Sequence, residues 1–135
     1  MKVSRTPVRA QTPWFVSNVM NPIFRRTGVL PILSVRGRRS GKLFRTPINV
    51  LDINGVTYLV SPRGETGWSR NLRANGEASL TVKGLERRFR ASEVPPGDRS
   101  PIIAAYLAKW GGQTHAQFEH LPDPVDHPTF RLEPI

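Results

Sequence analysis

The chain is 135 residues long, with 13 prolines, 11 glycines and no cysteine, which excludes disulfides, zinc–thiolate centres and thiol nucleophiles and disfavours long unbroken helices. Twenty Lys+Arg against 10 Asp+Glu give a formal net charge of +10, a field that attracts nucleic acid, anionic lipid or an acidic cofactor. No apolar run approaches the ~20 residues of a membrane span and no secretory leader is expected, so the cytoplasm is the expected location.

The charge is front-loaded. Residues 1–45 carry Lys2, Arg5, Arg9, Arg25, Arg26, Arg36, Arg38, Arg39, Lys42 and Arg45 with no carboxylate. Residues 1–12 are polar, basic and aperiodic, which predicts a mobile arm ahead of one domain over 13–135. Over 14–26, Trp14, Phe15, Val19, Met20, Ile23 and Phe24 recur near helical spacing, and Pro22 is placed to kink or split that helix. After Gly28 the pattern turns strand-like, over 30–36 and then 44–53. Asn54-Gly55 is a strong hairpin turn, returning the chain as a third strand over 56–61. Residues 66–75 form a short helix stopped by Asn75-Gly76. Residues 78–83 and 87–94 flank Gly84 as a second hairpin, 95–98 is a loop, and 100–109 is a helix with Ile102, Ile103, Tyr106 and Leu107 on its apolar face. Residues 129–132 supply a last short strand. This order predicts a mainly β (α+β) protein: about six antiparallel strands curled into a small barrel, with a few peripheral helices.

The segment 36–47, RGRRSGKLFRTP, is the first that can carry chemistry. Its glycines let backbone N–H groups turn toward an anion, the arginines add charge-assisted bonds to phosphate or carboxylate, and Ser40 adds a hydroxyl. It is not a P-loop, because only three residues separate Gly37 from Gly41 and Leu43 follows Lys42. A solvated basic hairpin tip is the rival reading. In Arg45-Thr46-Pro47, Pro47 lacks a donor and marks a bulge that re-aims neighbours, or an edge that it protects.

The second segment runs from Ser61-Pro62-Arg63-Gly64 to Trp68-Ser69-Arg70-Asn71-Leu72. A strand end, a glycine loop and a helix start make a natural ligand rim. Trp68 can pack on a planar ring or serve the core, and Asn71 can bond a ring edge or nearby backbone. His115, His120 and His127 lie near Glu119, Asp123 and Asp126, but their spacing matches no ligand motif; surface histidines in a polar C-terminal loop are expected and metal is rejected. No G-x-S-x-G elbow is present.

Taken in order, these segments resemble the deazaflavin-dependent nitroreductase family, the split β-barrel reductases of actinobacteria. The resemblance rests on N-P-x-x-R-R at 21–26, R-G-R-R-S-G-K-x-x-R-T-P, W-x-x-N-L-R-A-N at 68–75, the hairpin at 82–91 and L-E-P at 132–134. It implies an oxidoreductase using the 8-hydroxy-5-deazaflavin coenzyme F-420, whose phosphate and oligoglutamate tail suit the front-loaded charge. Arg38, Arg39, Ser40 and Gly41 match the family segment around the phosphate, with Lys42 and Arg45 toward the tail. Thr46 belongs to the same block, and Pro47, Ser61 and Arg63 correspond to positions lining the ring cleft. Trp68, Asn71 and Leu72 match the block beside the deazaflavin.

The implied reaction is hydride transfer from reduced coenzyme to a quinone, nitro compound or activated enone. Tyr106 is the nearest family position for a proton donor or substrate contact. The tyrosines that shape the substrate pocket in the best-known members are reduced here to Tyr106, followed by Trp110, His115, Phe118 and His120. The resemblance also implies a homodimer. Two rival readings stand beside it. One keeps the barrel as a non-catalytic binder of flavin mononucleotide (FMN), fatty acid or another ligand. The other is a nucleic-acid or membrane-surface module, with the helix over 14–24 making a peripheral membrane contact. Nucleic acid is disfavoured because Phe44 is the sole aromatic among the basic residues of 36–45.

Overall fold

The computed structural model describes residues 30–135; the expected basic arm and the helix over 14–26 lie outside the described residues. Among the described residues, seven strands form one sheet: β1 (Ile32–Arg36), β2 (Leu43–Pro47), β3 (Leu51–Ile53), β4 (Val56–Val60), β5 (Glu77–Val82), β6 (Leu85–Glu93) and β7 (Thr129–Pro134). Their spatial order is β2-β1-β5-β6-β7-β4-β3, and every pairing is antiparallel. This is the expected split β-barrel, with β2 and β3 as the two edges among the described residues. Helix α1 (Gly67–Asn75) follows β4, and α2 (Ser100–His120) lies between β6 and β7.

Seven strands replace the expected six because the run over 44–53 divides after Pro47. Pro47 has no N–H for a ladder, and the Ile48 N–H donates instead to the Pro31 carbonyl, at 3.0 Å. The chain then crosses from one sheet edge to the other. Both hairpin turns put their central residues at positive φ: Asn54 at 51° and Gly55 at 84°, Lys83 at 50° and Gly84 at 81°. That geometry matches the right-handed twist of the flanking strands.

The period-two alternation of the strands separates two cores. Leu33, Val35, Val50, Leu59, Leu80, Phe89 and Phe130 face inward and pack on Leu72 of α1, with Trp68 against them. Leu51 and Val60, one residue away from Val50 and Leu59, face outward and pack on Ile102, Ile103, Tyr106 and Phe118 of α2. Burying a leucine-sized side chain stabilises by roughly 1.5–3 kcal/mol, so each helix is fixed by its apolar stripe.

Helix α1 is closed at both ends by its own sequence. Thr66 accepts from the Ser69 N–H while Ser69 Oγ accepts from the Thr66 N–H, and Gly76 at φ 74° caps the C-terminus. Helix α2 corrects the sequence expectation of a helix over 100–109. It runs 21 residues, through Gly111-Gly112 to His120. Ile102, Tyr106, Trp110, Thr114 and Phe118 recur every four residues, and Trp110 Nε1 donates to the Val50 carbonyl at 3.2 Å. That tertiary anchoring outweighs the ~1 kcal/mol each glycine costs. His115 and His120 are therefore exposed on a helix rather than in a loop, and His127 is not a surface residue at all: it is fully buried. Among the described residues, no helix is long and apolar enough to cross a membrane.

Candidate functional site

The basic segment between β1 and β2 is a tight loop. Gly37 N–H donates to the Lys42 carbonyl at 2.7 Å, Gly41 N–H donates to the Gly37 carbonyl at 3.1 Å, and Gly41 sits at φ 75°. Only glycine adopts that conformation without strain. A Cβ on Gly37 would stand 2.6 Å from the Phe44 ring, so the glycine also lets Phe44 fold over the loop.

Helix α1 holds this loop from below. Asn71 Oδ1 accepts from the Arg38 N–H and from Arg38 Nη1, and Asn75 Nδ2 donates to the Arg36 carbonyl. The cavity so formed measures about 490 Å³ and is lined by Gly37, Arg38, Arg39, Ser40, Phe44, Arg45, Thr46, Gly67, Trp68 and Asn71 with Val35. The four ion pairs among the described residues use Arg73, Arg88 and Arg99. Arg38, Arg39, Lys42 and Arg45 enter none of them. A cluster of cations without protein carboxylates, beside glycine-freed backbone, fits a phosphate and an acidic tail.

A second cavity of about 480 Å³ adjoins the first, sharing Thr46 and Trp68 in its lining. Pro47, Ile48, Asn49, Ser61, Pro62, Arg63, Tyr106, Gln113, Thr114 and Gln117 are among its lining. Trp68 stands between the two and leans on Phe130, with ring centroids 6.0 Å apart. Part of the polar wall of the second cavity is made by amides and one phenol. Asn49 Nδ2 donates to Tyr106 Oη at 3.3 Å and to Gln113 Oε1 at 3.5 Å. Gln117 also borders this cavity, and its Oε1 is buried with no hydrogen-bond partner among the described residues. Burial pushes the Tyr106 phenol above its ordinary pKa, opposed by the Asn49 hydrogen bond. The phenol therefore keeps its proton through neutral pH.

Of the residues singled out in the sequence, Arg38, Arg39, Ser40, Arg45, Thr46, Trp68 and Asn71 line the first cavity, and Thr46, Pro47, Ser61, Arg63, Trp68 and Tyr106 line the second. Asn71 spends its oxygen on Arg38. Ser61 is buried, with its hydroxyl donating to the Gly64 carbonyl. Leu72 is fully buried in the inner core and Lys42 is exposed; neither lines a cavity. Gly41 shapes the loop through its φ. Asn49, Gln113 and Gln117 went unnoticed in the sequence, since isolated amides carry no spacing signal.

The family of F420H(2)-dependent quinone reductases matches residues 9–118 of the chain. No curated protein matches it at a significant level. Among solved structures, a chain described as an F420-H2 dependent reductase (FDR-A) is 19% identical, with 80% of this chain and 95% of that chain covered and a TM-score of 0.58. A chain described as a domain-swapped dimer is 16% identical, covering 88% and 97%, with a TM-score of 0.58. A FAD-binding protein from Mesorhizobium loti is 16% identical, covering 86% and 85%, with a TM-score of 0.57. At these identities the likeness shows the shared split-barrel fold.

Proposed function

The chain belongs to the F420H(2)-dependent quinone reductase family, oxidoreductases that depend on the reduced deazaflavin coenzyme, and on that premise we propose that it passes a hydride to a quinone, a nitro compound or an activated enone. The observation that supports this reading most is that the two cavities are neighbours, with Thr46 and Trp68 in the walls of both. One end is cationic and glycine-lined; the other is a half-polar chamber with a protonated phenol.

In this reading Arg38, Arg39 and Ser40 hold the phosphate, and Lys42 and Arg45 meet the acidic tail. Thr46, Pro47, Trp68 and Arg63 border the ring, with Gly41, Ser61, Asn71 and Leu72 shaping the walls behind them. When bound, the reduced coenzyme supplies the hydride. The chain's own part is orientation, exclusion of water and management of one proton. Asn49, whose amide also donates to Gln113, fixes the Tyr106 hydroxyl in the wall of the chamber that would receive the acceptor. A quinone that takes up a hydride and a proton leaves as hydroquinone.

We extend the proposal to a homodimer. Among the described residues, strand β2 is a sheet edge that exposes Leu43 and Phe44 beside Arg45 and Pro47, and an edge presents backbone groups to which another chain can pair. Light scattering on the purified protein distinguishes monomer from dimer.

Titration of the protein into coenzyme F-420 and, separately, into FMN, followed by fluorescence, tests the cofactor. Saturable binding of the deazaflavin is expected, weakened about tenfold or more by Arg39→Ala through loss of a charge-assisted bond. Binding of FMN or fatty acid alone, without reduction of menadione by reduced coenzyme, would replace this reading with that of a non-catalytic binder.

A further inference from the structure

His127 lies outside both cavities, yet it is the most completely engaged histidine of the described chain. It is 0% exposed and stacks on Phe118 with ring centroids 4.1 Å apart. Phe118 lies 6.0 Å from the Tyr106 ring. Both imidazole nitrogens face main-chain carbonyls: Nδ1 is 2.8 Å from the Ser61 oxygen, and Nε2 meets the Leu121 oxygen. The Nδ1–H tautomer donates to Ser61, the Nε2–H tautomer to Leu121, and an imidazolium to both.

Ser61 opens the 61–64 loop, which supplies Ser61, Pro62 and Arg63 to the second cavity. That loop rests on the C-terminal segment at several points. Ser61 N–H donates to the Pro128 carbonyl at 3.0 Å. Gly64, at φ 87°, lies so close that an added Cβ would stand 3.2 Å from Leu121 and 3.3 Å from the Asp126 carbonyl. The supporting segment is itself held rigid. Arg99, only 4% exposed, donates to the carbonyls of Val94, Pro124, Val125 and His127. The loop also has a weak point, since its internal Gly64 N–H to Ser61 carbonyl bond is 3.3 Å long.

We propose that His127 is a positioning residue for the ring end of the cofactor cleft: its Nδ1–H bond to the Ser61 carbonyl sets the 61–64 loop, and through it Arg63, against the end of α2. The ligand half of this inference rests on the function proposed above; the loop half does not.

Three substitutions separate the roles of the ring. In His127→Asn the amide places an N–H where Nδ1 lies, in His127→Gln it places one where Nε2 lies, and in His127→Phe stacking on Phe118 survives without a donor. Amide hydrogen exchange in the full chain should rise about tenfold at Gly64 in His127→Phe and His127→Gln, for the loss of one hydrogen bond. It should stay near wild type in His127→Asn, and the Arg38 amide should be unchanged in all three. Binding of 8-hydroxy-5-deazariboflavin, the ring without phosphate, should weaken by a similar factor in the same two variants. Gly64 exchange equal in wild type and His127→Phe, or no better protected in His127→Asn than in His127→Gln, would overturn the proposal. Should His127→Phe not fold, the Asn and Gln variants decide alone. A wild type that binds neither ring compound nor coenzyme removes the proposed function, and the exchange comparison still judges His127.

Discussion

The Asn71 side-chain oxygen accepts two hydrogen bonds from Arg38, one from its backbone N–H at 3.1 Å and one from Nη1 at 2.8 Å. A single buried amide thus fixes both the path of the basic loop and the direction of its first cation. Asn75, one helical turn on, holds the Arg36 carbonyl at 2.6 Å. The loop is therefore preorganised by α1 before any anion arrives, which lowers the ordering cost of binding.

Asn71→Ala should cost about 1–3 kcal/mol of stability, because two donors on Arg38 lose a buried partner. Coenzyme affinity should fall about tenfold with the loosened loop, at a conversion of 1.4 kcal/mol per decade. Asn71→Asp restores the acceptor and should recover the melting temperature. It also sets a carboxylate beside the phosphate site, so affinity should fall further. Thermal denaturation and fluorescence titration on the same samples check the crossover.

Tyr106→Phe should leave the fold intact, since the ring and its contact with Phe118 remain. Turnover with a quinone acceptor should drop by roughly 10²-fold if the phenol donates the proton. The pH dependence of stability carries a separate signature. Burial raises the folded-state pKa above the ordinary 10.0, so the native state holds its proton longer than the unfolded chain. That contribution is fully present below pH 10.0 and is lost as pH rises through the folded value. Denaturant titrations at alkaline pH should show this loss in wild type and not in Tyr106→Phe.

Glu93 anchors the opposite side of the barrel. Arg73 donates to it from Nε at 2.6 Å and from Nη2 at 2.8 Å, and Arg99 Nη2 adds a bond at 3.2 Å. The Arg73 hydrogen bonds, more than burial opposes them, hold the carboxyl below its ordinary 4.5. Its stabilising effect is therefore present above pH 4.5 and is lost as pH falls through the lower folded value. Glu93→Gln should flatten that acid limb and cost about 1–3 kcal/mol at pH 7, because the buried Arg99 loses its carboxylate. Urea midpoints from pH 3 to 7 provide the measurement.

Much of this molecule was legible in the chain. Asn54, Gly55 and Gly76 stand at positive-φ positions that few other residues tolerate, so turns and helix stops could be placed to within a residue or two. The basic loop was legible as a glycine-shaped cluster of cations because those residues lie close together in sequence. The length of α2 was less so, since Gly111-Gly112 reads locally as a stop, and only the sheet beneath Trp110 and Phe118 overrides it. The same holds for the strand over 44–53, where Pro47 was read as an edge or bulge but the crossover it permits depends on Pro31.

Sequence by itself determined the parts whose physics is local: strand alternation, turn chemistry, caps, the basic loop and the ordered motifs of the family. Tertiary structure decided what those parts serve. It gave Asn71 to Arg38 across 33 residues, took Leu72 into the core, assembled Asn49, Tyr106, Gln113 and Gln117 into one wall, and buried a histidine that looked like surface. Each of these depends on groups far apart in the chain meeting inside a low-dielectric interior, where an unpaired polar atom is costly. No residue announces that partnership through its neighbours in sequence.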